Sequence, residues 1–182
     1  MKTYKIVMLS GSSGSGKTTL AIKIGELENA KIIFISKIII KEALRQGFKN
    51  FEAYFDKYGI KEGFKLVRKI TLTEILKAHK SGNVIVEGMY DQKLFGLVVS
   101  NVGRENIVLI NVTGNKNARI ERISTRSNLS KKQAEKELRK RDRIKYAAGL
   151  HKIVQDSNIT IRENTQKAAF EVYKKHRMQR KK

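Results

Sequence analysis

The chain has no cysteine, no proline and no tryptophan among its 182 residues. Without cysteine there is no disulfide, no thiolate metal site and no thiol nucleophile. The three histidines, His79, His151 and His176, are scattered and form no His-x-x-x-His pair, which argues against a zinc site as well. Acidic residues are scarce: 17 Asp and Glu stand against 39 Lys and Arg, for a net charge of +22. Long apolar runs are missing too. Lys37 interrupts the richest stretch, residues 31–40, well short of the ~20 residues that span a bilayer. The apolar segment at 6–9 is too short for a secretory signal and leads straight into a glycine motif. The expectation is a soluble, cytoplasmic and strongly basic protein.

What is present suits one compact unit. Hydrophobic residues make up 40% and charged residues 31%, enough for a core, and neither a repeat nor a Pro/Gly/Ser linker divides residues 1–182. The charge is unevenly spread: +7 over residues 31–80, −1 over 81–115, +8 over 116–145 and +5 over 171–182. A surplus of this size points to polyanionic partners, nucleotides or nucleic acid, unless it reflects compositional bias in a Lys- and Ile-rich chain.

Short β-rich runs alternate with longer helical periods. Strands are predicted at 4–10, 31–35, 83–87, 106–112 and 158–162. Helices are predicted at 17–28, 38–46, 115–127, 130–148 and 165–176, with further helices over 50–80 broken near Gly59 and Gly63. Strands alternating with helices imply a parallel sheet covered on both faces. The aromatics at Phe48, Phe51, Tyr54, Phe55, Tyr58 and Phe64 recur at helical spacing and are expected in the core rather than stacked on a ligand.

One motif carries chemistry outright. Gly11-Ser12-Ser13-Gly14-Ser15-Gly16-Lys17-Thr18 matches G-x-x-x-x-G-K-[ST], with a strand before it and a helix after. The glycines let successive N–H groups turn inward as an anion nest at a helix N-terminus. Lys17 places a charge on the β- and γ-phosphates, and Thr18 offers a hydroxyl to Mg²⁺. Nucleotide contacts are expected from Gly11 through Thr19. A GTPase is excluded: Asn115-Lys116-Asn117-Ala118 follows a late strand, but Ala118 replaces the guanine-reading aspartate, and no Asp-x-x-Gly switch follows an earlier strand. A multi-subunit motor ATPase needs more chain for its sensor elements.

Other residues extend the site. Glu87 ends the third strand, where a carboxylate can hold Mg²⁺ through water or take a proton from an acceptor hydroxyl. Arg119, Arg122 and Arg126 share a helix face, and Arg139, Arg141 and Arg143, with Asp142 among them, follow about a dozen residues later. Two arginine groups flanking a short segment suit a clamp on a phosphate chain.

Taken in order, the P-loop, Ile35-Ser36, Val84-Ile85-Val86-Glu87-Gly88, the Arg119/Arg122/Arg126 set, Arg141-Asp142, Gly149-Leu150 and the stretch 156–164 resemble the nucleoside monophosphate kinase superfamily. Within it the archaeal adenylate-kinase-like and dephospho-CoA-kinase-like enzymes are most similar. The resemblance implies a three-layer α/β/α P-loop fold with a five-stranded parallel sheet, an acceptor-binding insertion at 37–80, a lid at 127–142 and a basic tail at 177–182. It implies ATP and Mg²⁺ as cofactors, with Lys17 and Thr18 on ATP·Mg²⁺, and Arg119 and Arg126 on adenine or phosphate. Arg141 would reach the phosphates, and Asn164 would lie near the adenine. The chain departs from the pattern at Ser36-Lys37, where kinases of hydroxyl acceptors often carry Asp, at Glu87 in place of Asp, and at Tyr90 in place of a basic residue. A phosphate acceptor needs no base, so the missing Asp favours one, although Glu87 or Asp91 offers a carboxylate. The expected activity is transfer of the ATP γ-phosphoryl group to a nucleotide-like acceptor, a nucleoside monophosphate or dephospho-CoA. Two alternatives are a polynucleotide end kinase or nucleic-acid-binding ATPase, which the basic insertion and tail would serve, and a non-catalytic nucleotide-switched binding protein.

Overall fold

Five short apolar runs form β1 (Ile6–Ser10), β2 (Lys31–Phe34), β3 (Val84–Glu87), β4 (Ile107–Val112) and β5 (Ile159–Ile161). The computed structural model describes residues 5–162 and 166–179. The strands pair in the order β2-β3-β1-β4-β5, and every pairing is parallel. β1, β3 and β4 are buried at every position because helices cover both faces, which is why they read as unbroken apolar runs.

The connecting helices are α1 (Lys17–Glu28), α2 (Ile35–Arg45), α3 (Phe51–Ser81), α4 (Gln92–Val102), α5 (Lys116–Ser127), α6 (Lys131–Ala148), α7 (Leu150–Gln155) and α8 (Gln166–Gln179). Alternate strand residues feed two cores. Val7 and Leu9 join Leu20, Ile24 and Tyr173 of α1 and α8 on one face. Ile6 and Met8 join Ile39, Phe64, Leu94 and Ile153 of α2, α3, α4 and α7 on the other. The expected three-layer α/β/α fold is therefore the observed one. α4 and α7 are additions to the elements read from spacing.

The expected breaks in the 50–80 region resolve into one. Gly59 leaves helical geometry at φ 73°, ψ 159° and kinks α3, whereas Gly63 remains helical and serves packing. A Cβ at Gly63 would lie 2.6 Å from Phe55 Cδ1, so only hydrogen lets the two turns close. Gly63→Ala is expected to lower stability by about 1–3 kcal/mol through this overpacking, read as a lower urea midpoint at unchanged slope.

The expected lid, residues 127–142, is no loose loop. It comprises the end of α5, a turn at Asn128 (φ 49°) and most of α6, which opens with a capping box between Ser130 and Gln133. Ile123, Ala134 and Leu138 form a small core of their own, with Ile120 and Leu129 packed against it. The α5–α6 hairpin thus has internal cohesion independent of the sheet.

Candidate active site

β1 runs directly into the 11–16 loop, whose glycines are required by geometry. Gly11 has φ 125°, and a Cβ there would lie 2.1 Å from the Val112 carbonyl oxygen. Gly16, at φ 94°, occupies the N-cap of α1 without any side-chain cap. By contrast α3, α4, α5 and α6 are capped by Asn50, Asp91, Asn115 and Ser130. The first N–H groups of α1 are thus left without a side-chain acceptor, as an anion-binding helix start requires.

Lys17 folds back over this loop. Its Nζ donates to the Ser12 carbonyl at 2.7 Å and to Ser15 Oγ at 3.3 Å, and the residue is only 5% exposed. Burial lowers its pKa; Glu87 and Asp142 oppose the shift, and Arg119 and Arg126 add to it. Glu87 is buried at the end of β3, one strand from the P-loop: Leu9 pairs with Glu87, and the N–H groups of Gly88 and Met89 both donate to the Leu9 carbonyl at 3.0 Å. Thr18 is exposed in the first turn of α1. A buried ammonium held by neutral oxygens, open helix N–H groups, a hydroxyl and a nearby carboxylate fit a triphosphate with a divalent cation.

A cavity of about 260 Å³ opens beside these groups. Lys17, Thr18 and Glu87 line it, Arg126, Arg141 and Lys145 supply further cations, and Ile39, Ile40, Phe51 and Phe55 give it an apolar wall. The expected core aromatics are thus split: Tyr54 and Phe64 are core, whereas Phe51 and Phe55 also face the cavity. The arginine set divides as well. Arg119 and Arg122 bind the P-loop itself, through the carbonyls of Ser13 (2.7 Å) and Gly14 (3.0 Å). Asp142 accepts the Ser13 N–H at 2.9 Å and pairs with Arg119, tying α6 to the loop. Arg141 also donates to Glu137 at 2.6 Å. Arg139 pairs with Glu135, and Arg143 is exposed. Asp91 caps α4 and binds Arg68 at 2.9 Å, so its carboxylate is engaged away from the cavity. Asn164 lies outside the described residues, as do residues 180–182 of the tail.

A protein-family model described as an AAA domain matches residues 7–144. The chain belongs to the AAA-domain family. The matched span includes the P-loop, Glu87, both arginine groups and Asp142, and ends just before Lys145. No curated protein sequence matches. Several solved structures are similar along nearly their whole length. An uncharacterized protein from Eubacterium ventriosum shares 15% identity at TM-score 0.67, over 94% of this chain and 96% of that one. A shikimate kinase from Acinetobacter baumannii, in complex with shikimate, shares 19% at TM-score 0.61, over 96% and 92%. A gluconokinase from Sinorhizobium meliloti shares 11% at TM-score 0.61, over 98% and 97%. The AAA-domain core here therefore has a P-loop kinase fold.

Two residues of this AAA-domain site are not read as site residues from sequence, where Tyr90 stands only as a departure from the kinase pattern. Tyr90 lines the cavity, and burial, reinforced by Glu87 and Asp91, pushes its phenol pKa up, keeping it neutral. Lys145 stands 5.5 Å from the centre of the Tyr90 ring. Burial and then the charge of Lys17 push its pKa well below the ordinary lysine value, against the pull of Asp142 and Glu87. Its signal was its place one turn after Arg141, which puts both on the same face of α6.

Proposed function

We propose that the protein is an ATP- and Mg²⁺-dependent kinase that moves the γ-phosphoryl group to a small anionic acceptor, best matched by a nucleoside monophosphate. The observation that carries this reading is the composition of the cavity beside the P-loop. Cations from α1, α5 and α6 line it, an apolar wall from α2 and α3 faces it, and Glu87 is the one carboxylate among the described residues that line it. A base ring suits the apolar wall, and a phosphate suits Arg126, Arg141 and Lys145. The shikimate kinase and the gluconokinase share this fold, which supports the reaction class.

Bound Mg²⁺·ATP supplies the phosphoryl group. Lys17 and the α1 N–H groups neutralise charge at the β- and γ-phosphates. Thr18 and Glu87 would hold the Mg²⁺, Glu87 directly or through water. Arg126 and Arg141 of the α5–α6 hairpin would lie over the phosphates and help exclude water, so that the acceptor rather than water attacks the γ-phosphorus. A monophosphate oxygen is already an anion and requires no base, in keeping with Ser36 where a hydroxyl-activating Asp would stand.

The acceptor is found by thermal stabilisation with a non-hydrolysable ATP analogue and Mg²⁺. The analogue at about 100 times its Kd is expected to stabilise by about 2.7 kcal/mol, several degrees in Tm. A nucleoside monophosphate is expected to add a further rise, beyond that from dephospho-CoA, shikimate or gluconate. A further rise from dephospho-CoA, shikimate or gluconate, with none from any nucleoside monophosphate, contradicts the monophosphate acceptor.

A further inference from the structure

A second cavity of about 270 Å³ lies between α3, the start of α4 and the α6–α7 junction, lined by none of the P-loop residues. Its rim carries Lys61 and Lys65 from α3, Lys93 from α4 and Lys152 from α7, all exposed. Part of its floor is apolar, with Ile60, Phe64 and Ala148, beside the Arg68–Asp91 pair, while Glu62 and His151 also line it. Lys65 pairs with Glu62 at 3.2 Å, and Arg68 is held by Asp91. Lys61, Lys93 and Lys152 form no ion pair among the described residues, although they come from three elements far apart in sequence.

Convergence of this kind sorts the basic surplus of the chain. The cations of the insertion meet others across a groove, whereas α8 lies on the opposite face of the sheet, where Arg177 is paired with Glu28 at 2.6 Å and Lys174 with Glu171 at 2.7 Å. We infer that the α3/α4/α7 groove is a binding site for single-stranded nucleic acid, with lysines on the backbone phosphates and bases against the apolar floor. Several features favour that ligand. The lysines are point charges on flexible stems, suited to a repeating phosphate chain without sequence reading. A concavity of about 270 Å³ has room for the bases of a single strand and not for a duplex. The apolar floor is unused by a purely ionic ligand such as inorganic phosphate. The site is independent of the reaction proposed for the P-loop cavity.

The test uses the full chain and a fluorescein-labelled single-stranded 20-mer, followed by anisotropy from 50 to 200 mM salt without ATP. The triple variant Lys61→Gln/Lys93→Gln/Lys152→Gln is compared with Lys167→Gln/Lys174→Gln/Lys175→Gln on α8, which removes the same charge. The groove variant is expected to bind about ten- to a hundredfold more weakly and to lose about 2 from the log–log salt slope, whereas the α8 variant stays close to wild type. Stabilisation of the groove variant by the ATP analogue, equal to that of wild type, shows an intact fold and P-loop. Equal weakening by both triple variants, unchanged binding in the groove variant, or competition by a poly-glutamate 20-mer as strong as that by unlabelled strand overturns the assignment.

Discussion

Lys17→Ala is expected to lower phosphoryl transfer by at least about 10²–10³-fold while leaving the ligand-free protein folded and no less stable. The lysine is 5% exposed and its ammonium meets only the Ser12 carbonyl and the Ser15 hydroxyl. A buried cation so placed is desolvated before any phosphate arrives, as its lowered pKa records. Its removal relieves that cost and strands no directly paired carboxylate, because Glu87 and Asp142 act on it only through space. Loss of transfer with retained Tm therefore separates a functional lysine from a structural one. Transfer rate and Tm measured on one preparation check both halves.

Lys145→Met is expected to raise the acceptor KM about ten- to a hundredfold, with a smaller effect on kcat, by removing one charged contact to the acceptor phosphate. Lys145→Arg, which keeps a cation, is expected to retain most of the affinity. The same residue has a stability signature whose sign follows from its surroundings. Lys17 of α1, Glu87 of β3, Tyr90, Arg119 of α5 and Asp142 of α6 all act on its amine, and burial outweighs the carboxylates to lower the pKa. Between the lowered folded value and the ordinary unfolded one, the unfolded chain binds more protons, so this lysine destabilises the fold at neutral pH and the penalty shrinks as pH rises toward 10. Lys145→Met is thus expected to melt a few degrees above wild type at pH 7, with the gap closing toward pH 10. A gap that widens with pH, or an unchanged acceptor KM, contradicts this role.

The parts of the site readable from sequence were those in which local spacing carries the chemistry. The P-loop needs only its own glycines and the helix that follows. Glu87 is legible because its strand ends there, and the kink at Gly59 because glycine interrupts a long helical period. Contacts between distant segments were not legible. Arg119 was read as a nucleotide contact from its spacing, but its bonds to the Ser13 carbonyl and to Asp142, 23 residues away in sequence, could not be read that way. Lys145 looks in sequence like one more lysine of a basic helix; only the packing of α6 against Tyr90 makes it a half-buried cavity residue. Two helices were missed for local reasons. α4 contains Gly96 in its middle and owes its start to the Asp91 side chain, bonded to the N–H groups of Lys93 and Leu94. α7 has six residues and follows α6 across a single left-handed glycine, Gly149, so its period merges with that of its neighbour.

The fate of the γ-phosphoryl group tests the proposed kinase reaction most directly. The protein is incubated with γ-labelled ATP, Mg²⁺ and the acceptor that adds most to its thermal stability, with Lys17→Ala as blank. The proposed reaction requires label on the acceptor, one ADP formed per acceptor phosphorylated, and neither product from the blank. Label released as inorganic phosphate at a rate indifferent to acceptor, or ATP bound and never cleaved, contradicts it.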